Sequence, residues 1–288
     1  MNVLLTGANG FIGRNIEAAL LAAGHQVRRV SRSYGTDFSS MLSPDDWLAH
    51  LDGIDAVINS VGIIAERGAQ QFELLHTLAP AALFHACLQA GVCRVLQISA
   101  LGADATAFSA YHLSKRAADD CLRNLDLEWF VLRPSLIYGQ GGKSADLFMR
   151  LATLPFIPVI ADGQQKLQPV HISDVVATVM RCLTSQETRK TLDIVGTETV
   201  TFAEWLQWMR LAQGLPRAPV FPIPYSMAMA FARVGKFFNP MLQPENLRML
   251  QAGYSADVQP LAQFLGRTPL PVESRLFFTD VVPSGSAI

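Results

Sequence analysis

Apolar residues fall in short runs that alternate with amphipathic stretches along the first two-thirds of the chain. Residues 3–6 (Val-Leu-Leu-Thr) read as a strand, 11–23 as a helix closed by Gly24, and 26–30 as a second strand. Asp37 and Phe38 read as the end of a third strand. A helix over 47–51 precedes a strand over 55–59, and a long helix over 72–90 is closed by Gly91. A strand over 94–98, a helix over 110–125 and a strand over 129–132 follow. This alternation predicts an α/β fold, a doubly wound parallel sheet of Rossmann type wrapped by right-handed crossovers. Ligands of such sheets sit beyond the strands' C-terminal ends, where the strand order reverses.

The pattern then changes. Pro155 and Pro158 flank a short apolar run, a helix starts near Ser173-Asp174, and 192–195 reads as a late strand of the same sheet. From Val200 onward the chain is mostly helical, broken by Pro216, Pro219, Pro222, Pro224, Pro240 and Pro244. A smaller, mostly helical C-terminal lobe is expected. The predicted division is 1–138 with 168–196 for the nucleotide-binding domain, and 139–167 with 197–288 for the substrate or partner lobe. The stretch 225–242 is rich in Met and Phe, interrupted by Arg233 and Lys236. It reads as core helices of that lobe, as the wall of a pocket for an apolar substrate, or as a face lying on a membrane or quinone-bearing partner. Residues 283–288 read as a frayed end.

Composition narrows the classes. Half of the 288 residues are apolar and 16% are charged, so a sizeable core is available. The net charge of −1 gives no electrostatic case for nucleic acid. No basic segment precedes an apolar stretch at the N-terminus and no uncharged apolar run approaches about 18 residues, so neither a signal peptide nor a spanning helix is expected. A cytoplasmic protein is predicted, with the inner face of a membrane as a peripheral site. Cys87, Cys93, Cys121 and Cys182 lack metal-ligand spacing and read as free thiols; no metal site is expected.

The candidate chemistry begins at Gly7-x-x-Gly10-x-x-Gly13, which ends the first strand and opens a helix. Gly7 permits the sharp turn, Gly10 leaves room for a pyrophosphate, and Gly13 lets helix and strand pack closely. Asn9, Phe11, Ile12 and Arg14 complete this cofactor loop. The end of the second strand, Val30-Ser31-Arg32-Ser33, carries no acid to meet a ribose. Arg32 there, with Arg14 within reach, predicts recognition of a 2′-phosphate and hence NADP(H) over NAD(H). Asp37 and Phe38 are expected to flank the adenine, and Ser60 and Gly62 to line the close approach at the end of strand 55–59. Tyr111 and Lys115, four apart, share a helix face. The ammonium, aided by the positive nicotinamide of the cofactor, would lower the phenol's pKa, so that Tyr111 acts as acid or base at a carbonyl or alcohol beside the nicotinamide. Ser99, ending strand 94–98, would hold the substrate oxygen. His171 and Asp174 read as a dyad, or, in the favoured reading, as a packed histidine and a helix whose cap is Asp174 or its neighbour Ser173.

Together, Thr6-Gly7-x-x-Gly10-x-x-Gly13, Ser99, Tyr111-x-x-x-Lys115 and the run Leu132-Arg133-Pro134-Ser135-Leu136-Ile137-Tyr138-Gly139 resemble the short-chain dehydrogenase/reductase superfamily, in its extended and atypical branches. His171-Ile172-Ser173-Asp174-Val175-Val176 resembles a later segment of that family, and the match covers about residues 1–196. The resemblance implies that Lys115 binds the nicotinamide ribose, that Pro134 and Leu136 lie along the nicotinamide, and that a homodimer forms through the helices 72–90 and 110–125. It also places Leu101 as the alternative occupant of the family serine's position and His76 where many relatives carry asparagine. A closer similarity, through Ile98-Ser99-Ala100-Leu101-Gly102-Ala103, residues 155–163, Gln168-Pro169-Val170, residues 244–250 and 265–269, is to the group containing the nucleotide-binding accessory subunit of respiratory complex I. Two functions are therefore expected. One is an NADP(H)-dependent oxidoreductase or epimerase acting on a small-molecule, plausibly apolar, substrate. The other is a non-catalytic NADPH-holding structural, assembly or sensing module that docks a protein or membrane.

Overall fold

The computed structural model describes residues 1–68, 70–235 and 241–279. The chain divides into two compact units: Met1–Pro134 with Val175–Asp193, and Ser135–Asp174 with Ile194–Ile288.

The first unit is built on strands β1 (Asn2–Thr6), β2 (Gln26–Val30), β3 (Ala56–Asn59), β4 (Arg94–Ile98) and β5 (Glu128–Pro134). With the strand Lys190–Ile194 they form a six-stranded sheet in the order Lys190–Ile194, β5, β4, β3, β1, β2. The pairs β1–β2, β1–β3, β3–β4 and β4–β5 are parallel. The chain leaves β2 on one side of β1 and returns as β3 on the other, so the order reverses between β1 and β3. Every residue of β3 is buried, as a sheet covered on both faces requires.

Helices α1 (Phe11–Ala22), α2 (Asp45–Leu51), α3 (Ala79–Ala90) and α4 (Ala110–Arg123) flank the sheet. α1 turns Ile16 and Leu20 inward, each fully buried. α4 is strongly amphipathic, with Ala118 and Leu122 facing the core, and Ser109 caps it by accepting from the His112 N–H at 3.1 Å. Leu4, Val57, Val95, Val131, Leu83, Phe84 and Trp47 fill one core cluster. Each such aliphatic side chain, on leaving water, contributes about 1.5–3 kcal/mol.

Two expectations are corrected. Asp37 and Phe38 do not end a strand; Phe38–Ser40 is one 3-10 turn, capped by the Asp37 carboxylate on the Ser39 N–H at 3.1 Å. Phe38 is buried edge-on against Trp47, with ring centroids 5.3 Å apart, as part of the core. The helix expected over 72–90 is not uniform. Glu73–Leu78 is a π-helical turn that runs into α3. Pro80 has no N–H to give to residue 76 and its ring would crowd that carbonyl, so the helix widens just before it.

The second unit is mostly helical, with Lys143–Ala152, Phe202–Ala212, Tyr225–Gly235, Pro244–Ala252 and Gln259–Leu265, and short two-stranded pairings between them. Thr201 and Glu204 form a reciprocal capping box at the start of Phe202–Ala212. Tyr138, Trp205 and Phe277 meet as a ring cluster in its core. His171 is fully buried, its ring bonded to the Ser173 hydroxyl at 3.0 Å and the Leu276 carbonyl at 3.1 Å. Asp174, in the first turn of the helix Ile172–Thr184, pairs with Arg267 at 2.7 Å and accepts from the Leu270 N–H. Leu136 packs against this unit's apolar core.

Candidate functional site

The site is built where β1, β3 and β4 end. Gly7 leaves β1 with φ +70°, and a Cβ there would lie 2.8 Å from the Ser60 backbone. At Gly13 a Cβ would lie 2.2 Å from the Gly7 carbonyl oxygen, so only glycine lets α1 sit this close to the turn. Gly10 is the N-cap of α1 and has no side chain to cover the helix's first amides, which leaves a cradle for an anion. Beneath this turn, Thr6 donates to Asn59 at 2.5 Å and Asn59 to Gln97 at 2.7 Å, tying the three strand ends together through fully buried groups.

The end of β2 is polar and free of acid. Asn9 donates to the hydroxyls of Ser31 at 3.2 Å and Ser33 at 2.5 Å. Arg28 is occupied by the carbonyls of His50 and Asp52, and Arg29 by Glu17. Arg32 faces Gln70, whose amide oxygen, oriented toward the guanidinium, accepts from both terminal nitrogens at 3.0 and 3.1 Å. Arg14 lies over the Phe11 ring at 5.3 Å. Asp37 spends its carboxylate on Ser39.

Tyr111 and Lys115 occupy successive turns of α4. Lys115 is 3% exposed, and its ammonium donates to the carbonyls of Val61 and Ile98, both at 3.0 Å. A Cβ on Gly62 would come within 3.2 Å of that ammonium nitrogen and 3.7 Å of His76 Nε2, so glycine keeps the space between them open. Burial lowers the Lys115 pKa, and the negative charge of Asp119 acts against that fall. Tyr111 stands edge-on to Phe72, His76 and His112. Without a nicotinamide beside it, the phenol's pKa is not lowered. Burial, with the Asp119 charge adding to it, raises the phenol to about 12.

Ser99 is engaged within the protein. It is 4% exposed and donates its hydroxyl to Asp119 Oδ2 at 2.5 Å. Asp119 itself is fully buried, its other oxygen has no hydrogen-bond partner among the described residues, and burial raises its pKa. Leu101 is nearly buried, with its N–H donating to the Pro134 carbonyl at 2.9 Å.

Sequence reading missed Asp119, although its position one turn beyond Lys115 could have flagged it. It placed His76 near the site without its connections. His76 Nε2 accepts from the Ile63 N–H at 3.0 Å, which puts the ring proton on Nδ1 facing Ser114 Oγ, also at 3.0 Å. Ser114 donates its own hydroxyl to the Tyr111 carbonyl at 2.8 Å. Burial and the neighbouring Lys115 charge push His76 down to about 2.

That shift has a testable consequence. The folded pKa lies below the ordinary 6.5, so the unfolded chain binds the extra proton between about pH 6.5 and pH 2. Stability from this group is complete above pH 6.5 and falls by about 1.4 kcal/mol per pH unit below it. Urea denaturation across pH 5–7 is expected to show this slope in the wild type and a shallower one in His76→Asn. Equal slopes would show that His76 is not held neutral.

A model of the NAD dependent epimerase/dehydratase family matches residues 3–195, the span that carries the glycine turn, Tyr111 and Lys115. The chain belongs to this family. The mitochondrial NADH dehydrogenase [ubiquinone] 1 alpha subcomplex subunit 9 of Arabidopsis thaliana is 27% identical over 272 residues, covering 85% of this chain and 68% of that protein. A ceramide reductase of Caulobacter vibrioides is 29% identical over 192 residues, covering 62% of this chain and 59% of that protein, less than two-thirds of its length. Among solved structures, the UDP-glucuronic acid 4-epimerase of Bacillus cereus in complex with NAD superposes with a TM-score of 0.74 over 97% of both chains at 17% identity, a likeness of fold.

Proposed function

We propose that the protein is an NADP(H)-dependent oxidoreductase or epimerase acting at a carbonyl or alcohol carbon, with Tyr111 as the acid/base. The observation that supports this most is the Tyr111–Lys115 arrangement: a neutral phenol one helical turn from a buried ammonium that sits at the ends of β3 and β4. The chain's residues fit a dinucleotide, because only glycine at 7 and 13 lets the turn and α1 pack this closely, Gly10 leaves the first amides of α1 uncovered, and Gly62 leaves room beside the Lys115 ammonium. When bound, the nicotinamide would supply or accept the hydride. Gly7, Gly10 and Gly13 would hold the pyrophosphate, and Lys115 the nicotinamide ribose. A phenol with a pKa of about 12 is an acid at neutral pH, so Tyr111 is set to give its proton to a carbonyl oxygen as the carbon is reduced. Ser99 is spent on Asp119, so the substrate oxygen would be positioned by Tyr111 itself. An apolar substrate is favoured by the relative named ceramide reductase.

The cofactor reading rests on Arg32 and the acid-free end of β2. Arg32→Ala is expected to weaken NADPH binding about 10- to 100-fold, the worth of charge-assisted hydrogen bonds to a phosphate, while NADH binding changes little. Fluorescence titration with both cofactors measures this, and an equal loss for the two would remove the 2′-phosphate from the site.

The alternative is a module that holds NADPH without turning it over. Two findings favour it: the burial of the Ser99 hydroxyl against Asp119, and the complex I subunit relative. Loading the protein with NADPH and adding a cell metabolite and lipid extract separates the two. Oxidation by wild type but not by Tyr111→Phe supports the enzyme. Tight binding without oxidation, and without epimerisation of added nucleotide sugars, supports the module.

A further inference from the structure

The helix Tyr225–Gly235 in the second unit is apolar on two sides. Ala228, Met229 and Ala232 face inward and are buried. Met227, Phe231 and Val234 recur at the spacing of one helical face and are 50%, 63% and 60% exposed. A protein core accounts for the first side and not for the second. One residue before this helix, the strand Val220–Ile223 presents Phe221, 56% exposed, tilted against the exposed ring of Phe156 at 5.4 Å. Scattered exposed apolar residues need no explanation, but a helical stripe continued by a strand does. The expectation that this stretch forms core helices holds for one side only, and residues 236–240 lie outside the described residues.

The charge pattern says what would cover the stripe. Residues 205–244 contain no Asp or Glu, while Arg217 and Arg233 are exposed within that stretch. A protein interface of ordinary composition would mix both signs. A stretch that combines large exposed apolar side chains with exposed cations and carries no Asp or Glu of its own is complementary to anionic lipid headgroups over an acyl layer. Among the described residues, no helix is long and apolar enough to cross a membrane, so contact by this helix would be in the plane of the interface.

We propose that the helix Tyr225–Gly235, with Phe221 beside it, lies on the surface of an anionic lipid bilayer. Met227, Phe231 and Val234 enter the boundary between headgroups and acyl chains, and Arg217 and Arg233 meet the headgroup phosphates. This does not depend on the reaction proposed above.

The test is flotation of the full chain with phosphatidylcholine vesicles, with and without phosphatidylglycerol. Wild type is expected to float with the anionic vesicles, and added salt should weaken the partition. The triple variant Met227→Ser, Phe231→Ser, Val234→Ser should lose at least about tenfold in partition, and Arg233→Glu several-fold. Unchanged NADPH affinity and circular dichroism in both variants show that the fold is kept. The proposal is overturned if wild type stays with neither vesicle, or if the triple variant floats as well as wild type. It is equally overturned if wild type is a dimer that the triple variant dissolves, because a second copy would then cover the face.

Discussion

Replacing Tyr111 by Phe is expected to lower turnover by a factor on the order of 10²–10⁴, the usual worth of a positioned acid/base, while cofactor affinity stays within a few-fold of wild type. The asymmetry follows from where the phenol stands. Its ring is held edge-on by Phe72, His76 and His112, and a phenylalanine ring can keep those contacts. Only the hydroxyl is lost, and with it the proton. The raised pKa of about 12 means that the free protein carries a protonated Tyr111 through the neutral range, so an acid role needs no further activation. A base role in the oxidative direction requires that pKa to fall, which the positive charge of an oxidised nicotinamide would bring about. Ultraviolet titration of the phenolate with and without NADP⁺ is expected to show one tyrosine ionising at lower pH in the complex. If Tyr111→Phe reduced substrate as fast as wild type, the acid would have to be another group and the enzyme reading would lose its centre.

What the sequence shows of this site depends on how local each determinant is. The turn Gly7–Gly13 was readable because the steric demand at each glycine is met within a few residues of chain; the only distant partner is Ser60, at the end of the adjacent strand β3. The alternation of apolar runs and amphipathic stretches was readable for the same reason, and it gave the parallel sheet with the correct strands β1 to β5. Asp37-Phe38 was misread because one apolar residue in a polar stretch has no period, and Phe38's destination, Trp47, is set by packing. The π turn at Glu73–Leu78 leaves no mark in hydrophobic spacing; Pro80 was the available signal. Ser99 looked like a substrate ligand by position, yet its partner Asp119 lies 20 residues on, in α4. The second unit's outward stripe was visible as Met and Phe, but only accessibility separates a core face from a bare one.

Asp119 should matter more to this protein than its absence from any sequence motif suggests. It is fully buried, accepts from the Ser99 hydroxyl at 2.5 Å, and its negative charge acts against the lowering of the Lys115 pKa by burial. Removing it altogether, in Asp119→Ala, takes away the charge that opposes the fall of the Lys115 pKa and leaves a buried hydroxyl without an acceptor. An unsatisfied buried group of this kind costs about 1–3 kcal/mol, to be read from urea denaturation at neutral pH. Asp119→Asn separates the two effects, because its amide oxygen can still accept from Ser99 while the charge is gone. The folded chain should then lose less stability, but the Lys115 pKa, already lowered, should drop further. If Lys115 holds the nicotinamide ribose as a cation, NADPH affinity falls as pH rises through that pKa, and in Asp119→Asn the fall must begin at lower pH than in wild type. Ser99→Ala keeps the charge and should leave that limb near its wild-type position. Coincident affinity profiles for wild type and Asp119→Asn would mean that Asp119 serves only to anchor Ser99, and that hydrogen bonds to the Val61 and Ile98 carbonyls alone stabilise the Lys115 cation.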